Sequence, residues 1–171
     1  TVALLGHFAR ANPQVAALRR DPRALVVFLG AHGYVSPSWM HDRSQAPTWN
    51  FETVHFQVDV EFDESPDAIH EALTRLVAHV ERHRPAAWSE TEMGARYAQL
   101  SKAVVAFRAR VTATVAKFKL GQNERADVYE DILAGLAGTG QQALADAMRR
   151  MPRPAGWRAR RPSVGARMPR P

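Results

Sequence analysis

Polar and apolar residues alternate along the segment from Phe51 to Phe62, and this pattern constrains the fold more than any other feature of the chain. Successive side chains of a β-strand point to opposite faces, so a period of two predicts a strand with one buried face. One face holds the apolar residues Val54, Phe56, Val58, Val60 and Phe62, and the other holds the polar residues Thr53, His55, Gln57, Asp59 and Glu61. The polar face is predicted to be wet or functional.

Three further segments predict strands. Val2 to Phe8 is the first, and the short apolar run from Ala24 to Leu29 is typical of a buried strand. The alternation returns between Val104 and Phe118, where one face carries Val105, Phe107, Val111 and Val115 and the other carries Arg108, Arg110, Thr112 and Thr114. The Gly- and Pro-containing stretch from Gly30 to Pro47, between the strands predicted at Ala24 to Leu29 and at Phe51 to Phe62, predicts a loop region.

Helices are predicted between the strands and after the last one. Ser65, Pro66 and Asp67 form a helix start, with a cap, a first-turn proline and a carboxylate at the positive end of the helix dipole. The predicted helices are Pro13 to Arg20, Ser65 to the residues before Pro85, Glu90 to Ser101, Glu124 to Leu136, and a last one that ends near Met151. Long antiparallel strands with inserted helices predict an α+β fold with a small barrel or strongly bent sheet.

Charge and composition divide the chain in two. Residues 152–171 hold six arginines and no acid, and subtracting these from the 23 basic residues leaves 17, equal to the 17 acidic residues. We therefore expect a neutral folded domain over residues 1–150 and a Pro/Arg-rich, disordered tail over residues 151–171. The absence of cysteine excludes disulfides, thiolate metal sites and a Cys nucleophile. With no membrane-length apolar run and no secretory signal, a cytoplasmic protein is expected.

Four short segments, in a fixed order, carry a resemblance to a known family. They are Gly-His-Phe-Ala-Arg-Ala-Asn-Pro-Gln at 6–14, Gly-Tyr-Val-Ser-Pro-Ser-Trp at 33–39, Pro-Thr-Trp-Asn-Phe at 47–51 with Val-His at 54–55, and Lys-Leu-Gly-Gln-Asn at 119–123. In these segments the chain resembles the PaiB-like family of FMN-binding split barrels. Gly121 stands where the family pattern has Ser.

The resemblance implies a six-stranded split barrel that forms a homodimer and binds FMN near the subunit interface. Members of the family carry about one more strand pair at the start, so N-terminal strands are expected to be missing from this chain. Some members are described as negative transcriptional regulators. Direct DNA binding is not supported here, because the body of the sequence is neutral and no helix-turn-helix pattern is readable.

FMN requires donors for its phosphate dianion and apolar or aromatic surface for its ring. Arg10, Lys119 and the loop hydroxyls of Ser36, Ser38 and Thr48 are suited to the phosphate. Trp39, Trp49 and Tyr34 are suited to the ring. The remaining candidate cofactor-binding residues are His7, Asn12, Asn50, His55, Gln122 and Asn123. In the alternative interpretation Trp49 and Tyr34 belong to the core, Asn12 and Asn50 hold turns, and Arg10 pairs with a local carboxylate.

A second interpretation concerns His7. The PaiB-like group includes haem-dependent piperazate synthases, which form an N–N bond in N-hydroxyornithine, and Ala46 to Phe51 and Phe118 to Leu120 match their pattern. In that case the cofactor would be haem b and His7 its iron ligand. Whether the protein is an enzyme therefore stays open between flavin-linked redox or sensing, a haem enzyme, and a regulatory protein with a degenerate pocket.

Overall fold

The structure, a computed structural model, describes residues 2–152. Its four strands are β1 (Ala3–Ala9), β2 (Arg23–Val35), β3 (Thr48–Asp63) and β4 (Val104–Lys119). Its five helices are α1 (Pro13–Arg20), α2 (Pro66–Glu81), α3 (Ala95–Leu100), α4 (Ala126–Gly138) and α5 (Gln142–Arg150). The strands form one antiparallel sheet in the order β1-β4-β3-β2. The α+β split-barrel class predicted from the sequence is confirmed, whereas the predicted tail lies almost entirely outside the described residues.

Strands β1 and β4 pair antiparallel, with His7 opposite Ala106 and Gly6 opposite Phe107. A Cβ atom on Gly6 would lie 2.6 Å from Cζ of Phe107, which is closer than real Cβ atoms approach. Glycine in a strand often marks a close approach of this kind. The glycine before His7 is therefore required by the packing of the Phe107 ring.

Strand β2 is longer and more exposed than the sequence predicts. The prediction ended it at Leu29 and placed Gly30 in a loop, but the strand continues to Val35. Gly30 and Gly33 lie inside it, where a Cβ would meet the Glu52 and Gln141 side chains at 2.9 and 2.2 Å respectively. The prediction that this strand is buried is also wrong: most of its residues are exposed, and the strand lies at the edge of the sheet.

The exposed residues of β2 form an apolar row. Leu25, Val27 and Leu29 are 57%, 51% and 58% exposed. Leu25 and Val27 alternate with the partly buried Ala24 and Val26, whereas all residues from Val27 to Gly30 are exposed, including Phe28 at 50%. An apolar run of this length is compatible with a buried or an edge strand, so the sequence pattern alone could not distinguish them.

Two further predictions need correction. Val115, predicted to share one face of β4 with Val105, Phe107 and Val111, is 60% exposed, because the packed part of that face ends near Val111. The helix predicted from Glu90 to Ser101 is interrupted at Gly94, whose φ of +53° is left-handed. A single-turn 3-10 segment (Glu90–Met93) precedes Gly94, and α3 follows it.

The described chain divides into two compact units. The first unit contains residues 2–27 and 55–115, and the second contains residues 28–54 and 116–152. In the first unit, Val58, Val60 and Ala109 form one buried cluster, while Ile69 and Ala72 of α2 pack on Ala106 in another. In the second unit, α4 and α5 enclose a core whose largest buried side chains include Leu120, Ile132, Leu136, Leu144 and Met148.

Helix α2 begins as its sequence predicts. The Ser65 hydroxyl accepts a hydrogen bond from the backbone N–H of Ala68, Pro66 occupies the first turn, and Asp67 lies in that turn. The buried side of the helix is shorter than predicted: Leu76 and Val80 share the predicted apolar face, yet they are exposed.

Candidate functional site

Most of the predicted cofactor-binding residues lie in the second unit, and two of the phosphate candidates meet there. Thr48 opens β3 and Lys119 closes β4. The Lys119 ammonium donates a hydrogen bond to the Thr48 hydroxyl. Lys119 is exposed and Thr48 is partly exposed, so an anion from solution can reach a cationic donor and a hydroxyl at the same place.

The turn after β4 is fixed by Gln122 and Gly121. The Gln122 side chain accepts a hydrogen bond from the backbone N–H of Leu120 at 2.8 Å and donates one to the carbonyl of Phe118 at 2.7 Å. Gly121 has a φ of +70°, a conformation that glycine adopts without the strain of other residues. The Gln122 side chain therefore holds the turn next to Lys119, and Gly121 adopts the backbone conformation that this turn uses.

Trp49 and Tyr34 present aromatic surface in the same unit. They are 50% and 45% exposed respectively, so neither ring belongs to the core. The rings of His32 and Trp49 stack with their centroids 6.2 Å apart and their planes 27° from parallel. A half-exposed indole supported from one side by a second ring is suited to contact a flat ligand.

Other predicted residues of the second unit serve the fold. Ser36 caps a 3-10 turn by accepting a hydrogen bond from the N–H of Ser38 at 3.1 Å, and the two hydroxyls are 2.7 Å apart. Trp39 packs against the core of α4 and α5. Asn50 is 2% exposed, and its amide donates to the sulfur of Met148 at 3.6 Å. Asn123 is exposed. A ligand role for these residues stays a prediction.

The first unit holds the other phosphate candidate, Arg10. Its guanidinium forms an ion pair with Glu64 and donates to the backbone carbonyl of Lys102 at 2.8 Å. Arg19 pairs with the same carboxylate. Both arginines lower the pKa of Glu64 through hydrogen bonds. The Asn12 side chain caps α1 by accepting a hydrogen bond from the N–H of Gln14 at 2.9 Å. Arg10 and Asn12 thus make the local contacts that the alternative interpretation describes.

His7 and His55 also lie in the first unit, on separate strands. His7 is partly buried in β1, and its Nδ1 atom is inaccessible to solvent and has no hydrogen-bond partner within residues 2–152. His55 is partly exposed on the polar face of β3. The haem interpretation of His7 is not supported.

Two features of the second unit were not predicted from the sequence. His32, assigned to a loop, is a strand residue that stacks on Trp49. The loop after residue 40 is held by Asp42, which accepts hydrogen bonds from Ser44 and, at 2.9 Å, from Arg125. These contacts, with that of Ser44 the largest, hold the pKa of Asp42 far below its ordinary value of 3.8. No local pattern connects residues so far apart in the chain.

The part of the chain that the structure describes offers neither a metal site nor a membrane-spanning helix. Between residues 2 and 152 no three His, Asp or Glu side chains are grouped so that they could hold a metal ion. Within that range, too, the helices are too short or too polar to span a bilayer.

Comparison with known proteins connects the chain to an FMN-binding domain. The family model described as "Putative FMN-binding domain" matches residues 1–113, a range that ends before Lys119. Protease synthase and sporulation protein PAI 2 of Bacillus subtilis strain 168 is 33% identical over 135 residues, which cover 78% of this chain and 64% of that protein. An uncharacterized protein of Aspergillus fumigatus is 26% identical over 176 residues, which cover 81% of this chain and 67% of that protein.

Among solved structures, the conserved hypothetical protein Rv2991 from Mycobacterium tuberculosis is similar with a TM-score of 0.47 and 17% identity. That match covers 68% of this chain and 61% of the other. The chain spans 64% of the length of PAI 2 and 67% of the length of the Aspergillus protein.

Proposed function

Because the chain belongs to this family of FMN-binding domains, we propose that it binds FMN non-covalently and uses it for flavin-linked redox chemistry or sensing. The observation that carries the proposal is the hydrogen bond between Lys119 and Thr48 at the exposed ends of β4 and β3. In the proposed site these two side chains hold the phosphate. Trp49, supported by His32, provides a surface for the ring.

The chemistry of these residues fits the cofactor. A lysine ammonium has three donor hydrogens and a threonine hydroxyl has one, and charge-assisted hydrogen bonds to phosphate are among the stronger ones. The Gln122 side chain holds the turn next to Lys119, so less conformational freedom is lost when the phosphate binds. When bound, FMN supplies reversible electron transfer, so no catalytic side chain of the protein is required for redox activity.

Regulation of gene expression is a second candidate, favoured by the 33% identity with PAI 2. In this proposal the state of the flavin, and not direct contact with DNA, would carry the signal, because the sequence outside residues 152–171 is neutral. A homodimer accompanies both proposals through the family resemblance, and a cytoplasmic location is proposed with it. Unchanged transcript levels after deletion of the gene would exclude regulation, and a monomer in sedimentation equilibrium would exclude the dimer.

The first experiment is the visible absorption spectrum of the protein purified without added cofactor, followed by titration with FMN. A two-band flavin spectrum that is released on denaturation is expected. An intense Soret band that shifts on reduction would contradict the FMN proposal and point to haem, with His7 as the residue to replace. A colourless protein that binds neither added FMN nor haemin would contradict both.

Replacement of Lys119 tests the phosphate site. We expect Lys119→Ala to weaken FMN binding by about 10- to 100-fold, because a hydrogen bond to a charged group contributes about 1.5–3 kcal/mol. Binding of riboflavin, which lacks the phosphate, should change little. The quenching of flavin fluorescence measures both affinities.

Lys117→Ala is the matched control, because Lys117 is an exposed lysine on the same strand and two residues away. Its replacement should leave FMN affinity within about twofold, since a small change in net charge has only a weak, screened effect. Equal effects of the two replacements, or equal losses for FMN and riboflavin in Lys119→Ala, would contradict the assignment of Lys119.

A further inference from the structure

The first unit contains a cavity whose lining includes one predicted phosphate candidate, Arg10, but none of the residues assigned to the proposed FMN site. It has a volume of about 370 Å³ and lies between α2, α3 and the residue after β1. Pro66 and Ile69 of α2 and Tyr97 of α3 provide a mainly apolar wall. Small-molecule sites commonly combine such a wall with a few polar groups at fixed positions.

The polar part of the lining consists of Arg10, Glu64 and Lys102. Glu64 pairs with Arg10 and also with Arg19, which does not line the cavity, so within the lining the charges of Arg10 and Glu64 offset each other. The Lys102 ammonium makes no hydrogen bond or ion pair with any residue between 2 and 152. The lining therefore carries a net charge of about +1, and its uncompensated charge belongs to Lys102.

The backbone at Lys102 is held in place. Its carbonyl accepts a hydrogen bond from Nε of Arg10 at 2.8 Å, and the backbone N–H of Arg10 donates to the carbonyl of Ala103 at 2.9 Å. The start of the Lys102 side chain is thus fixed at the edge of the cavity, although its ammonium is exposed. A cation anchored beside an apolar wall is a partial match for an anion with an apolar body.

Tyr97 is oriented by a polar network behind the cavity wall. Its hydroxyl lies 3.0 Å from Nδ1 of His70, and the two rings meet edge to face. The adjacent Glu90 is buried and accepts a hydrogen bond from Thr74 at 2.8 Å. Burial and, secondarily, the charge of Glu90 raise the pKa of Tyr97, so this ring is a neutral part of the wall that does not repel an anion.

We propose that this cavity is a binding site for a small monocarboxylic acid, with the carboxylate at Lys102 and the apolar body against Ile69, Pro66 and Tyr97. A monoanion matches the net charge of the lining, in which Lys102 is the cation without a carboxylate partner among the described residues. One water molecule takes up about 30 Å³ in the liquid. The cavity of about 370 Å³ therefore has room for roughly a dozen water molecules, which corresponds to a ligand of the size of an arylalkanoic acid. This site belongs to the first unit and is independent of the proposed FMN site.

The probe is 4-phenylbutyrate, and its neutral amide serves as the matched ligand. Titration of the full chain by ligand-observed NMR should give a Kd on the order of 1 mM for the acid, in keeping with ordinary ligand efficiencies. The amide should bind several-fold more weakly, because it lacks the charge that pairs with Lys102. No saturable binding of the acid up to about ten times that concentration would overturn the proposal.

Two variants separate the charge from the cavity. Lys102→Met keeps an apolar stem and should weaken binding of the acid by about tenfold or more, while the amide is unaffected. Ala98→Trp places a large side chain in the lining and should abolish binding of both ligands. Lys117→Met is the control for charge. Binding of the acid that survives both Lys102→Met and Ala98→Trp would show that it binds elsewhere.

Circular dichroism and the thermal midpoint verify that each variant is folded. The comparison of the acid with its amide is made on the unmodified protein, so it does not depend on the folding of any variant. FMN affinity should be unchanged in Lys102→Met. If instead FMN binding falls with that of the acid, the two ligands share a site and the independent site is excluded. If FMN fails to bind at all while the acid binds as described, only the proposed flavin function is lost.

Discussion

Gly135 illustrates how one absent side chain sets a local structure. A Cβ atom built on this residue of α4 would lie 2.3 Å from Cδ2 of the Trp39 indole. The ring therefore occupies the space that any other residue at position 135 would need. Because atoms of an indole ring cannot move independently, the clash cannot be relieved by a small rotation of a flexible chain end.

We expect Gly135→Ala to destabilise the protein by about 1–2 kcal/mol. Overpacking of a core costs about 1–3 kcal/mol, and the better helix propensity of alanine offsets up to about 1 kcal/mol of that. Urea denaturation measures the change. Gly138→Ala in the same helix is the control, because a Cβ there meets no atom within 4 Å. It should be neutral or slightly stabilising, and equal effects of the two replacements would contradict the packing argument.

The candidate phosphate site shows what residue chemistry can and cannot predict. Lys119 and Thr48 were each predicted from the chemistry of their side chains and from the family motifs. Their hydrogen bond depends on the strands that bring position 48 next to position 119, which no local pattern encodes. The stacking of His32 on Trp49 was missed for a similar reason, because Gly30 and Gly33 made a strand look like a loop.

At the scale of helices and strands, predictions succeeded where local signals agree. The alternation in β3 and the capped start of α2 each combine a period with a fitting boundary, and both elements formed as predicted. The exposure of Val115 in β4 could not be predicted, because alternation shows which residues share a face but not whether other residues pack on that face. Whether a strand face is buried depends on the tertiary packing of other elements against it.

The N-cap of α2 provides a test at this scale. Ser65→Ala removes the oxygen that accepts the hydrogen bond from the Ala68 N–H, and we expect a loss of about 1 kcal/mol in the free energy of unfolding. Ser65→Asp, which can cap in the same way, should retain most of the stability. Thermal and urea denaturation measure both. A stable Ser65→Ala protein would indicate that Pro66 and the packing of Ile69 suffice to start the helix.

At the scale of the whole molecule, the net charge of +6 is equal to the number of arginines in residues 152–171, and no acid lies there. The remaining residues carry equal numbers of acidic and basic side chains. The basic isoelectric point of about 10.5 therefore describes the end of the sequence and not the surface of the described part. Non-specific affinity for polyanions should accordingly depend on these arginines.

Acid stability is the corresponding prediction. Hydrogen bonds and ion pairs lower the pKa of six carboxyl groups below ordinary values of 3.8 for Asp and 4.5 for Glu: Asp21, Asp42, Asp63, Glu64, Glu90 and Asp127. Between the folded and unfolded pKa values, the unfolded chain binds more protons. The stabilising effect is therefore complete above about pH 5 and is lost as the pH falls through the folded pKa values.

The thermal midpoint measured from pH 7 to pH 2.5 should be nearly constant at first and fall progressively below about pH 4.5. Asp42→Asn should lower the midpoint at pH 7, and the gap to the unmodified protein should narrow as the pH approaches the folded pKa of Asp42. A gap that stays constant down to pH 2.5 would show that the Asp42 charge contributes nothing to stability.

The contact between Gly6 and the Phe107 ring has a consequence for inheritance. A descendant that lost its cofactor would still need glycine at position 6, since a Cβ there would collide with the ring. Selection for packing would therefore preserve the glycine of the Gly6-His7 motif even after selection for cofactor binding had ended. The presence of that glycine in a distant relative is evidence of common ancestry and fold. Retained flavin binding must be judged from positions such as Lys119, where the packing of β1 does not restrict substitution.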